Sequence, residues 1–272
     1  PHHRPGDLEQ PLRQSHRCSL HAKRPRGTGG ARQTTARQHQ ANRYRVDVSG
    51  GKIAGRIGRW NLGALAIRQD QFEGIEATDI FVGRVTANVL DESSVGMIVT
   101  EGDPRSNLDN SLIGADFQYS NTRLPNGRAL QGELWYQESD TEGQDSEQAA
   151  YGFRLRAPNV VGWRGGFGMK QIEENFFPAL GFVNRAGIRD HTMELGYSRR
   201  TGGDFFQTVF TGVDAERIHL INGGLQSQVL TLRALSVESI GRDSGHLRLH
   251  AAKEVLTEPF VIWQKDSEQI TV

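Results

Sequence analysis

Asp214 and Glu216 come nearest to a catalytic arrangement in this sequence, because they are two carboxylates on one face of a predicted strand segment. Glycoside cleavage uses two carboxyl groups roughly 5 to 9.5 Å apart. Residues i and i+2 of any β-strand meet that separation, because a strand rises about 3.3 Å per residue. The spacing is therefore weak support for catalysis, and a charged wall facing water is the simpler interpretation.

Histidine and cysteine give no metal site by their spacing. His246 and His250 fall on one strand face about 13 Å apart by strand rise, which is too far for a shared ion, and they are interpreted as lining residues. Cys18 is the only cysteine. An intrachain disulfide and a multi-cysteine metal site are therefore excluded.

An oxygen-rich loop surrounds Pro104, with Asp103, Asn107, Asp109 and Asn110 as candidate calcium ligands. The spacing of an EF-hand and its terminal glutamate are missing, so a polar turn is favoured over a calcium site. The sequence also contains no Gly-x-Ser-x-Gly, Walker A or HExxH motif. We therefore assign no catalytic residue, no cofactor, no metal and no enzyme activity.

Period-two alternation runs through the chain from residue 51 onward. Leu134 and Tyr136, for example, alternate with Glu133, Trp135 and Gln137. Such segments are roughly 8 to 14 residues long, and about eleven or twelve of them can be counted. Long helical periodicity is absent, so the sequence predicts an all-β fold in which the strands form an antiparallel meander.

Turn signals separate the strand segments. Residues 125–127 read Pro-Asn-Gly, and Asn-Gly is a strong hairpin signal because both residues tolerate positive φ. Residues 202–204 and 222–224 are predicted to form two further reversals.

Segment length favours a transmembrane β-barrel over a β-sandwich. Sandwich strands average about 5 to 6 residues, whereas these segments often reach ten or more, as a tilted membrane-crossing strand requires. Eight charged residues at mid-segment positions are predicted to line a water-filled lumen: Arg84, Asp116, Glu133, Arg154, Arg156, Asp214, Glu216 and Arg248. Six aromatic residues are predicted to lie at the membrane interfaces, with ordinary enrichment of aromatics in strands as the alternative: Trp60, Tyr119, Tyr136, Trp163, Tyr197 and Trp263.

Residues 1–50 differ in composition from residues 51–272. They hold ten Lys or Arg against three Asp or Glu, and they show neither strand alternation nor helical period. Disorder is the favoured interpretation. A nucleic-acid-binding arm and an out-of-frame translation are the alternatives, and the segment is excluded from the predicted domain, residues 51–272. No run of 18 apolar residues occurs, so a membrane span would have to be a closed barrel.

Several stretches resemble a bacterial family of unknown function whose members join an N-terminal carbohydrate-binding family-9-like domain to a C-terminal outer-membrane barrel. The likeness covers roughly residues 50–265. It is carried by residues 51–63, 91–96, 102–107, 116–117, 163–166, 174–176, 178–185 and 248–260. The sugar-binding-like domain is missing here, and Val272 is not a terminal aromatic, so the chain is expected to be a fragment.

The resemblance implies a location and an architecture rather than a reaction. We expect a partial outer-membrane barrel in contact with the lipid bilayer, which acts in passage or surface handling of an extracellular solute, with a saccharide as the candidate. No nucleic-acid partner is expected. The competing hypothesis is a soluble periplasmic β-sandwich that binds or hydrolyses carbohydrate.

Overall fold

The computed structural model describes residues 48–255 and the backbone of residues 261–265 and 268–271. Twelve strands form one sheet: β1 Val48–Ile57, β2 Trp60–Gln69, β3 Thr78–Val89, β4 Ser93–Glu101, β5 Asn110–Leu124, β6 Arg128–Thr141, β7 Ala149–Ala157, β8 Gly162–Ile172, β9 Ile188–Arg200, β10 Phe206–Leu220, β11 Leu225–Ser239 and β12 Ser244–Glu254. A separate two-stranded hairpin consists of β13 Val261–Lys265 and β14 Glu268–Thr271.

Each strand of the large sheet pairs antiparallel with the next strand in sequence, from β1 to β12. The predicted all-β antiparallel meander is therefore confirmed. Within the described residues β1 and β12 are the two edges of the sheet, and they do not pair with each other. The sheet is open, so closure into a barrel stays a prediction.

The sheet begins slightly earlier than the compositional boundary at residue 50. Val48 pairs with Gln69, and Gly50 pairs with Ile67. The predicted basic segment otherwise lies outside the described residues.

The connections differ in length at the two ends of the sheet. Every second connection lies at one end, which we call the short-turn end: β1–β2, β3–β4, β5–β6, β7–β8, β9–β10 and β11–β12. These connections contain two to five residues, as in residues 58–59 and 125–127. At the other, the long-loop end, residues 70–77 and 102–109 contain eight residues each and residues 173–187 contain fifteen. The predicted turn at residues 125–127 is present, with φ of 64° at Asn126 and 66° at Gly127.

The sheet curves so that one face lines a common cavity of about 860 Å³, to which β3 and β5 to β12 contribute. We call this the concave face, and it carries Gly96, Asp116 and Trp135 on three successive strands. The opposite, convex face carries Val95, Phe117 and Leu134 in the adjacent row. Alternation along each strand therefore separates two chemically different surfaces.

The long connection between β8 and β9, residues 173–187, folds against the concave face at the long-loop end. We call it the inner segment. Its Phe176 is 6% exposed and forms a small hydrophobic core with Leu112 and Ala150 from the concave face. Packing of this segment thus occupies part of the space that the curved sheet encloses. In the part of the chain that the structure describes, no helix is long and apolar enough to span a bilayer.

Candidate functional site: the concave face

The eight charged residues predicted to line a lumen share the concave face. Cross-strand pairing places them there in four adjacent groups: Arg84 and Asp116; Glu133, Arg154 and Arg156; Asp214 and Glu216; and Arg248. This common face follows from the period of two, which keeps polar residues in phase along each strand. A role in lining a membrane passage stays a prediction.

Five of the six predicted interfacial aromatics lie on the convex face: Trp60, Tyr119, Tyr136, Trp163 and Tyr197. Trp163 contacts Tyr197 edge-on, with the ring centroids 5.3 Å apart. Both lie near the short-turn end, as does Trp60, whereas Tyr136 is nearer the middle of its strand. The side chain of Trp263 lies outside the described residues.

Arg84 and Asp116 form an ion pair that crosses a whole strand. Arg84 Nη2 on β3 lies 2.6 Å from Asp116 Oδ2 on β5. Gly96 lies between them on β4, and a Cβ there would stand 2.6 Å from Arg84 Nη2 and 2.7 Å from Asp116 Oδ2. Glycine at this position therefore leaves the space in which the guanidinium reaches over the sheet.

Three further ion pairs follow on the same face, between neighbouring strands or across one strand. Lys170 Nζ lies 3.0 Å from Asp190 Oδ2, and Arg156 Nε lies 3.4 Å from Glu194 Oε1. Asp190 is 4% exposed, which makes it the most buried carboxylate of the three pairs. The residues Lys170, Asp190 and Glu194 were not among the predicted lining residues, although they alternate in the same phase as those that were.

Asp214, the first member of the candidate carboxylate pair, is engaged by Arg233. The Arg233 Nη2 donates to Asp214 Oδ1 at 2.7 Å, and Nε lies 2.6 Å from Oδ2. Phe210 lies beneath this arginine, 5.8 Å from the guanidinium carbon to the ring centroid. Asp214 is thus held as an ion-pair partner beside Glu216, an arrangement suited to a charged wall.

Two of the other candidate ligands, His250 and Asp103, make contacts within the fold. His250 Nδ1 lies 3.1 Å from Thr231 Oγ1 on the concave face. Asp103 accepts hydrogen bonds from the Arg105 N–H at 2.9 Å and from the Ser106 hydroxyl at 2.6 Å, which makes a closed polar turn. No group of three or more His, Cys, Asp or Glu side chains in the described ranges is arranged to hold a metal.

The inner segment is fastened to the concave face by hydrogen bonds to its backbone. Asn110 donates to the Phe177 carbonyl at 2.9 Å and accepts from the Ala179 N–H at 3.1 Å. Arg105 Nη2 donates to the Ala179 carbonyl at 2.6 Å. Because a loop that folds inward buries backbone groups, these partners are needed to satisfy them. No periodic pattern predicts this packing, because it depends on contacts between residues that are distant along the chain.

The convex face exposes large apolar side chains on β1 to β9, β11 and β12. Ile53 is 74% exposed, and Leu134 and Leu249 are each 59% exposed. One representative from each of these strands is Ile53, Leu62, Phe81, Met97, Ile113, Leu134, Leu155, Phe167, Leu195, Leu230 and Leu249. These residues make an apolar surface opposite the ion pairs.

A polar contact joins the β3–β4 turn to the last residues of β5 at the short-turn end. The backbone N–H of Thr122 donates to Glu92 at 2.7 Å, and the Thr122 hydroxyl donates at 2.9 Å. These hydrogen bonds, with a smaller contribution from Arg123, hold the pKa of Glu92 below its ordinary value.

Comparison of the chain with protein-family models, with curated proteins and with solved structures gives no match. Membership of the outer-membrane family that the sequence resembles therefore stays a prediction, and the site is interpreted from its own chemistry.

Proposed function

We propose that this chain is part of an outer-membrane β-barrel whose concave face lines a passage for a polar solute. The observation that carries the proposal is the distribution of polarity, with ion pairs such as Arg84–Asp116 on the concave face and exposed Leu, Ile, Phe and Met on the convex face. A polar-lined membrane barrel has this arrangement.

The exposed apolar surface requires a covering. Soluble monomers rarely expose apolar patches larger than a few hundred Å², and removal of one Leu or Phe side chain from water stabilises by about 1.5–3 kcal/mol. The convex face carries such residues on eleven strands, namely β1 to β9, β11 and β12. Hydrocarbon chains of a bilayer would cover all of them at once.

A soluble β-sandwich would cover apolar residues differently. Two sheets would pack face to face, with apolar side chains from both sheets filling the space between them. The described sheet instead has twelve strands in a single layer, and its concave face holds four ion pairs. This pattern favours the membrane barrel over the sandwich.

Strand length and loop length also support the proposal. All twelve strands of the sheet contain between nine and fifteen residues, and a tilted strand needs about 9–11 residues to cross a bilayer. Outer-membrane barrels have short turns at the periplasmic end and longer loops outside. The long-loop end, which holds the inner segment, is therefore assigned to the extracellular side.

A barrel in lipid requires every backbone polar group to be paired. The edges β1 and β12 must therefore pair with each other or with other strands. The inner segment would narrow the resulting passage, since Phe176, Phe182 and Val183 line the same cavity as the concave face.

The test is fractionation of cells that express the full-length protein, followed by gel electrophoresis with and without heating. We expect recovery in the outer membrane and a mobility shift on heating, because a closed barrel resists unfolding in detergent. Recovery as a monomeric, water-soluble protein without detergent would refute the proposal and favour the carbohydrate-handling sandwich.

A further inference from the structure

We infer that the concave face holds a binding site for a neutral saccharide, centred on Trp135; this inference rests on the proposed function. The site consists of one cross-strand row, which we call the Trp135 row: Asp116, Trp135, Gly152, Lys170 and Asp190 on the five successive strands β5 to β9.

Trp135 supplies an aromatic surface inside the cavity. Its indole lies over Gly152, where a Cβ would come within 3.0 Å of the ring. The side chain is half-buried: part of it packs against the small core of Leu112, Ala150 and Phe176, and part of it lines the cavity of about 860 Å³, within the usual volume of roughly 300–1,000 Å³ for small-molecule sites. An indole has an apolar face and one N–H donor. It therefore suits a pyranose ring, which presents an apolar C–H face.

Hydrogen-bonding groups surround the indole. Gln118 and Glu133 are exposed, Gln137 is half-buried, and all three line the same cavity. Amides both donate and accept hydrogen bonds, and a carboxylate accepts them from hydroxyl groups. A ring of hydroxyls can use every one of these groups, whereas an apolar solute would leave them without partners.

The ion pair at the far end of the row sets the length of the site. Lys170 and Asp190 are paired at 3.0 Å on β8 and β9. Neighbouring strands are about 4.8 Å apart, so the backbones of Trp135 and Asp190 are separated by about 14 Å. A disaccharide stacked on Trp135 would place its second ring beside Lys170.

Charge balance in the cavity selects a neutral solute over an ion. The lining contains four basic residues, Arg84, Lys170, Arg185 and Lys253, and five acidic residues, Asp116, Glu133, Asp190, Glu216 and Glu254. Three of the basic residues are within 4 Å of an acidic partner in the same cavity. The opposing charges largely cancel, so the site offers directed hydrogen bonds with little net attraction for either sign of charge.

The test is titration calorimetry on the full chain folded in detergent micelles, with maltose as the probe and glycine betaine as a zwitterionic comparison. We expect saturable binding of maltose alone. Trp135→Ala should weaken maltose binding about tenfold. The double variant Gln118→Ala with Gln137→Ala should also weaken maltose binding, and it leaves the core contacts of Trp135 in place. The matched control is Trp163→Ala, which removes the same side chain from the convex face and should leave binding unchanged.

Folding of each variant is checked by the heat-dependent gel shift, so loss of structure is distinguished from loss of binding. Absence of maltose binding by the folded protein, equal loss in Trp163→Ala, or preference for glycine betaine would each overturn the saccharide site. Conductance across a planar bilayer without maltose binding would leave the barrel proposal standing while refuting this one. Maltose binding by a protein that never enters a membrane would refute the barrel proposal and leave the saccharide site standing.

Discussion

Replacement of Asn110 by alanine should release the inner segment while leaving the sheet intact. Asn110 is 3% exposed, and two of its hydrogen bonds reach the segment, at the Phe177 carbonyl and the Ala179 N–H. A net hydrogen bond contributes about 1 kcal/mol, and a buried group left unpaired costs about 1–3 kcal/mol. We therefore expect the free energy of local opening to fall by about 2–4 kcal/mol. That change raises the open population roughly 30- to 700-fold.

Hydrogen exchange measures this opening directly. The Ala179 amide should exchange faster in the Asn110→Ala variant, while amides in the middle of β5 and β6 keep their protection. Asn121→Ala is the matched control, because Asn121 lies on the same strand and, among the described residues, its side chain bonds only to Arg123 and Tyr119, near the short-turn end. Unchanged exchange at Ala179 would show that Asn110 does not hold the segment. In planar bilayers the variant should also conduct more than the unmodified protein.

Two further perturbations test the convex face and the short-turn end. Leu195→Arg places a charge on the convex face, where arginine at the bilayer midplane costs about 2–4 kcal/mol. The urea concentration at the unfolding midpoint in lipid vesicles should therefore fall, whereas the control Thr192→Lys on the concave face should change it little. Equal effects of the two substitutions would contradict the assignment of the two faces. The pKa of Glu92 is lowered in the folded protein, so its ionised form stabilises the fold. This stabilisation is fully present above the unfolded pKa of about 4.3. It is lost as the pH falls through the lower pKa of the folded state. Thermal unfolding in detergent should therefore depend less on acid pH in Glu92→Gln than in the unmodified protein, and an identical pH profile would show that the contact with Thr122 contributes nothing.

The strand order was predictable because it depends on local pattern. Alternation such as Glu133, Leu134, Trp135 and Tyr136 specifies a strand and its two faces without reference to the rest of the chain. Turn residues such as Asn126 specify where the chain reverses. Closure was not predictable in the same way, since it requires β1 and β12 to find partners that no local pattern identifies.

Part of the candidate site was also predictable. Arg84 and Asp116 share a face because both keep the period of two, but their ion pair depends on Gly96 lying between them on a third strand. The docking of the inner segment depends on Asn110, which the sequence presented only as a candidate calcium ligand. Its actual role is to satisfy backbone groups of a segment that folds back from β8.

The meander order has a consequence for assembly. Because each strand pairs with the next one in sequence, every hairpin forms from a contiguous stretch of chain and the entropic cost of each step stays small. The docking of the inner segment is different, since Ala179 reaches Asn110 across 69 residues. This docking can occur only after β5 to β8 have paired with one another. Under the proposed function, a protein whose inner segment has not yet docked is therefore expected to be more permeable to solutes than the fully folded protein.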